Sequence, residues 1–256
     1  MSLSAAGQSE DAYRFDWGSE GLYAIGQDAA VILIVDVLSF SSAVDVAVSV
    51  GGSVYPYPLG DPDAAAFALN KGAAVAVPRS DVTSLSPWSL SPYSLRLLPT
   101  GTGLVLPSEN GASLVCKAAT FGLPILAGCL RNAAAVARRA LELSGTNGAI
   151  AVIGAGERWY SASGPLRPCA EDLLGAGAIL CALDPSAAVS PPRCSPEAAT
   201  ARAAFASARY RLVEHVSRTA SARELISRGW VDDVGLSAAL NVSSTAPILC
   251  NGAFVQ

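Results

Sequence analysis

The chain is poor in the residues on which much enzyme chemistry depends. His215 is the only histidine in 256 residues, so a histidine-rich metal site is excluded by count. A Ser-His-Asp triad would hang on that one side chain, in the helical segment RLVEHVSRT, and no G-x-S-x-G surrounds any serine. Lysine is nearly missing, with only Lys71 and Lys117, which leaves positive charge to arginine, whose planar fork recognises carboxylate, phosphate or sulfonate. Charged residues make up 15% and the net charge is −4 with pI near 5.0, which argues against nucleic acid or an acidic membrane as partner. No apolar run approaches the ~18 residues a spanning helix needs. The six cysteines, at 116, 129, 169, 181, 194 and 250, never form C-x-x-C and lie in segments that read as buried, as reduced core thiols do. The N-terminal MSLSAAGQSEDAYRFDWG lacks a basic start and an apolar centre, so it reads as a frayed tail, and a cytoplasmic location is expected.

What the chain has is a core. Apolar residues reach 51%, and the organising stretch is VILIVDVLSFSSAVDVAVSVGG, from Val31 to Gly52. Val31 to Val35 reads as a strand buried on both faces, and Asp36 arrives where it ends. Ser39, Ser41 and Ser42 follow, then an apolar helix with Ser42 and Asp45 spaced as a capping box and Gly51-Gly52 as its stop. A helix start offers unpartnered N–H groups and positive dipole charge to an anion, beside a carboxylate able to hold a cation. Phosphate with a divalent metal fits that turn; an Asp and serines that merely satisfy the turn fit it too.

The strand and helix alternation continues. Strands are expected at 13–17, 53–57, 74–77, 102–106, 124–127 and 149–153, and helices at about 61–71, 112–120, 132–143, 170–183, 197–216 and 221–228. Asp233 begins a further helix, and Pro247 to Val255 reads as a hairpin around Asn251-Gly252. Tandem Ser-Leu-Ser-Pro-aromatic pentads at 84–88 and 89–93 make a long surface excursion anchored by Trp88 and Tyr93, a candidate lid or partner surface in a possible homo-oligomer. The economical fold is α/β, a three-layer α/β/α arrangement with a mostly parallel or mixed sheet and a C-terminal helical and hairpin extension. The expected organisation is a tail at 1–20, an α/β core at 21–183, a proline-rich linker at 184–196 and C-terminal helices with the hairpin at 197–256 packed on the core.

Ligands of open α/β sheets bind beyond the carboxyl ends of the strands. Four turns meet that condition: 36–42, 108–111, 128–132 and 154–157, carrying Asp36, Glu109, Asn110, Arg131 and Glu157. Mg²⁺ keeps several waters, so one to three carboxylates suffice to hold it. Glu171-Asp172 at a helix start either ligates metal or answers the helix dipole. Gly154-Ala155-Gly156 begins like a dinucleotide fingerprint, but Trp159 occupies the place of the third glycine. An aspartyl-phosphate route would need a second Asp at 38, which is Leu. A metal-assisted reaction with Asp36 near the metal is left.

Five motifs in order, VDVLSFSSAV at 35–44, LPSENGASL at 106–114, GCLRNAAAVA at 128–137, VIGAGERW at 152–159 with AEDLLGAGAI at 170–179, and SARELISRGWVDDV at 221–234, resemble the 2-phosphosulpholactate phosphatase (ComB-like) family. The resemblance implies Mg²⁺-dependent hydrolysis of 2-phospho-3-sulpholactate, or a related small phosphorylated acid, to the hydroxy acid and phosphate, a step towards coenzyme M. It makes Asp36 the central acid, with Glu157 and Asp172 as acid-base groups and Asp36, Glu157 and Glu171 as metal ligands. Ser39, Ser41, Ser42, Asn110 and Gly111 become substrate contacts, and Arg131 and Arg223 a clamp for carboxylate and sulfonate. Many members carry Arg directly after Asp-Val-Leu, where this chain has Ser39, so one cation is missing. The alternative is an anion-binding or regulatory relative without turnover.

Overall fold

The computed structural model describes residues 7–160, 164–185 and 193–256. In chain order the first elements are β1 (Tyr13–Trp17), α1 (Gly18–Ile25), β2 (Val31–Val35), α2 (Phe40–Ser49), β3 (Ser53–Pro58), α3 (Ala64–Lys71) and β4 (Ala74–Val75). A short α4 (Pro92–Leu95) precedes β5 (Gly103–Ser108), α5 (Gly111–Ala119), β6 (Ile125–Gly128), α6 (Ala133–Ser144) and β7 (Ile150–Gly154). A small ribbon of β8 (Glu157–Arg158) and β9 (Leu166–Arg167) leads into α7 (Ala170–Leu183) and α8 (Pro196–Ala208). The chain ends with α9 (Leu212–Ser217), α10 (Ala220–Ser227), α11 (Val231–Ser237) and the hairpin β10 (Ile248–Cys250) and β11 (Ala253–Val255).

The main sheet is mixed, with strand order β1-β7-β2-β6-β10-β11-β3-β5-β4, and helices cover both faces. Along β2 the side chains alternate: Val31, Leu33 and Val35 enter one core with α6, α7 and α8, whereas Ile32 and Ile34 enter the other with α1, α2 and α5. Burial on both faces is why this strand reads as an unbroken apolar run.

The C-terminal hairpin forms where the sequence places it, with Asn251 and Gly252 both at positive φ as a type I′ turn requires. It does not lie over the sheet. It is inserted in the middle, antiparallel to β6 through Ile248 and Leu126 and to β3 through Phe254 and Val54. The β1-β7-β2-β6 half and the β3-β5-β4 half are each parallel. The antiparallel pairings between them therefore set the halves in opposite senses.

Three local expectations are corrected. The Ser42–Asp45 capping box is absent, because α2 already begins at Phe40; Ser42 donates to the Val37 carbonyl at 2.8 Å and Asp45 is buried inside the helix. The helix expected over 197–216 is broken into α8 and α9 by a 3₁₀ turn at Arg209–Arg211. Asp233 is not a cap but the third residue of α11, buried against the Ser-Pro loop. Most of the expected linker, residues 186–192, lies outside the described residues. Among the described residues no helix is long and apolar enough to cross a membrane.

Candidate active site

Asp36 stands one residue beyond β2 and is buried. Its Oδ1 accepts from the Phe40 N–H at 3.2 Å and its Oδ2 from the Gly111 N–H at 3.0 Å, so the carboxylate joins the first turn of α2 to the start of α5. A side chain at 111 would not fit: a Cβ there would come within 2.5 Å of Phe40 Cδ1 and 2.6 Å of Asp36 Oδ2. Burial pushes Asp36 up to about 7, helped by the charges of Glu157 and Glu171 and opposed by the two N–H groups. A carboxyl poised there exchanges a proton near neutrality.

Asp36 lines a cleft of about 570 Å³ together with Ser39, Arg79, Glu109, Asn110 and Glu157. Asn110 Nδ2 donates to Glu157 Oε1 at 2.7 Å, and the Arg158 N–H donates to the same oxygen at 2.9 Å. The turns after β2, β5 and β7 thus meet, although β5 runs opposite to β2 and β7.

Other expected site residues lie elsewhere. Ser41 and Ser42 are fully buried turn residues: Ser41 Oγ donates to the Ile34 carbonyl at 3.1 Å and accepts from the Asp36 N–H at 3.0 Å. Gly111 acts through its N–H on Asp36 and not from the cleft wall. Asp172 is a staple, its Oδ1 accepting from the Val37 N–H at 2.7 Å and its Oδ2 from the Gly156 N–H at 2.9 Å. Burial raises its pKa well above the ordinary carboxylate value, with Asp36 and Glu171 adding to the rise. Glu171 is likewise buried and absent from the cleft wall. Arg131 closes on buried Asp45 at 2.8 Å and donates to the Leu236 carbonyl at 3.1 Å. Arg223 is exposed on α10, whose cleft face presents Ser221, Glu224 and Leu225 instead, with Arg228 just past its end.

The residue that sequence reasoning missed is Arg79. Its Nη2 donates to Ser39 Oγ and to the Leu90 carbonyl, both at 2.8 Å, and its Nε donates to Asp233 Oδ2 at 3.1 Å. The guanidinium lies over the Trp230 ring, 5.2 Å from its centroid. Asp233 also accepts from Ser91 Oγ at 2.6 Å and from the Tyr93 N–H at 2.9 Å, so α11 and the second Ser-Pro pentad hold Arg79 against the turn that carries Ser39. The signal was available: Arg79 follows the strand at 74–77 as Arg131 follows the strand at 124–127.

A family model described as 2-phosphosulpholactate phosphatase matches residues 25–252. The chain belongs to the 2-phosphosulpholactate phosphatase family. No curated protein matches it. As a member of that family the protein is a phosphoric monoester hydrolase, and every cleft residue named above lies inside the matched span.

The cleft can be tested for Mg²⁺. Glu109 Oε1 is buried without a hydrogen-bond partner among the described residues, and Glu157 repels both Glu109 and Asp36. An orphaned acceptor among like charges fits a divalent cation. Among the described residues no three His, Cys, Asp or Glu side chains converge as a preformed metal cage.

Proposed function

We propose that the protein is a Mg²⁺-dependent phosphatase that hydrolyses 2-phospho-3-sulpholactate or a related small phosphorylated acid to the 2-hydroxy acid and phosphate. The observation that carries this reading is a buried carboxyl at about 7 in one cleft with an arginine seated at Ser39. Arg79 and Asn110 offer donors for phosphate oxygens, and a guanidinium matches them better than a lysine would. Glu109 and Glu157 are the carboxylates that would hold Mg²⁺, which would supply charge neutralisation at the phosphoryl oxygens. Asp36 shuttles the proton between water and the leaving oxygen. The alternative of a relative without turnover drew on the missing cation at Ser39; Arg79 removes that motive.

The test is phosphate release from 2-phospho-3-sulpholactate and a panel of phosphorylated acids, with Mg²⁺ or Mn²⁺ and with a chelator. Release should need the divalent ion and fall by about 10²-fold or more in Asp36→Asn, while circular dichroism stays native. No release from any ester with either metal would overturn the proposal.

A further inference from the structure

Resting on the phosphatase reading, we infer that Arg158 and Arg167 form a second anion subsite that binds the end of the substrate remote from its phosphate. A cavity of about 550 Å³ adjoins the catalytic cleft and shares with it Glu109, Glu157 and Glu224; its own walls bring Arg158, Trp159 and Arg167. The β8–β9 ribbon builds it, since Glu157 pairs with Arg167 and Arg158 with Leu166 in antiparallel register. Gly156, at φ +65°, allows the turn into the ribbon, and a Cβ there would meet the Arg167 carbonyl oxygen at 2.9 Å.

The two arginines differ from those elsewhere in the fold. Arg79 and Arg131 each close on a buried aspartate, whereas neither Arg158 nor Arg167 has a carboxylate within ion-pair distance among the described residues. Arg158 Nη1 reaches the Gly164 carbonyl at 3.5 Å, and Arg167 Nη2 reaches Ser221 Oγ at 3.4 Å, both at the long limit of a hydrogen bond. Arg167 also lies over the Trp159 ring at 5.6 Å, which orients its fork. The acids of the shared wall are engaged: Glu157 Oε1 accepts from Asn110 and from the Arg158 backbone, and Glu224 pairs with Arg228 at 2.7 Å. In the phosphatase reading Glu109 and Glu157 are set against Mg²⁺, which leaves the Arg158 and Arg167 guanidiniums without an anionic partner, and a carboxylate or sulfonate two or more bonds from the phosphate would meet them.

Binding of non-hydrolysable pairs separates this subsite from catalysis. Calorimetry with 3-phosphonopropionate and with propylphosphonate, which share a phosphonate and differ by a second anion, should show wild-type preference for the former by about tenfold or more. In Arg158→Gln/Arg167→Gln that preference should collapse towards unity, and Arg158→Lys should keep part of it. A wild type without the preference, or a double variant that retains it, overturns the subsite; so does a variant that loses affinity for both ligands alike. The phosphatase reading fails separately, by absence of turnover in a wild type that still prefers 3-phosphonopropionate.

Discussion

Replacing Asp36 by Asn should change the pH dependence of stability in a direction opposite to that of an ordinary salt-bridged carboxylate. In the native state Asp36 keeps its proton up to about 7, against an ordinary value of 3.8. Between those limits the folded protein binds more protons than the unfolded chain, so the Asp36 contribution is fully present below the lower value and is lost as pH rises through the upper one. At about 1.4 kcal/mol per pH unit the gap sets a ceiling of about 4 kcal/mol. Asn does not titrate. Its amide turns a donor towards either the Phe40 or the Gly111 N–H, and the lost bond costs about 1–3 kcal/mol at every pH. The variant should therefore be less stable than wild type near pH 4, and as stable or more so near pH 8. Asp172 is raised by the same burial and by the Asp36 charge, so the substitution relieves part of that rise too and the difference curve reports both carboxyls. Urea unfolding with chelator present, from pH 4 to 8.5, gives the difference curve directly. A curve that is flat, or falls as pH rises, would refute the assignment of Asp36 as a buried, proton-holding carboxyl. The same proton predicts a bend in kcat/KM near pH 7.

Arg131→Ala should act on stability and leave substrate affinity alone. It strips Asp45 of its cation while the Ser243 hydroxyl still donates at 2.6 Å, so a loss of about 3 kcal/mol is expected in urea unfolding, with KM changed by less than about twofold; a raised KM at unaltered stability would restore Arg131 to the substrate. Arg79→Ala should lower kcat/KM by about 10²-fold, and adding Ser39→Arg should return at least a tenth of the activity, because it puts a guanidinium on the other side of the contact that Ser39 now makes with Arg79. Steady-state kinetics on the folded fraction decide both, and activity that never falls in Arg79→Ala counts against the phosphate contact.

The fold was legible where its causes are local. Five apolar residues bounded by Asp36 give β2 to the residue, and the Gly- and Ala-rich run gives α7 as Ala170–Leu183. That the turns at 36, 110 and 157 follow strands is legible in the sequence; that they meet is not given by chain direction, because β5 runs opposite to β2 and β7. What the sequence could not convey was pairing across long separations. Nothing local says that residues 248–255 enter the sheet between β6 and β3, because a short hairpin carries the same alternation whether it lies at an edge or at the centre. The arginines failed for the same reason. Arg131 and Arg223 sit in the right turn and the right helix, but a buried Asp45, 86 residues away, captures the first, and the helical rotation of α10 turns the second to solvent.

Arg79 shows how the Ser39 turn and the unexplained loop are one observation. Taken singly, Ser39 is an uncharged turn residue, the tandem pentads are a surface excursion, and Asp233 is a helix acid. In the fold Asp233 holds Ser91, Tyr93 and Arg79 at once, and Arg79 reaches Ser39. A longer side chain at 39 would contend for the space that the guanidinium occupies, so the short serine and the distant arginine are consistent as a pair. The loop then has a physical task, which is to carry the Leu90 carbonyl and the Ser91 hydroxyl to Arg79 and its partner. A half-buried charge held by hydrogen bonds on three sides is costly to move. The cation at this cleft is thus placed by the loop and α11, instead of by the turn that bears Asp36.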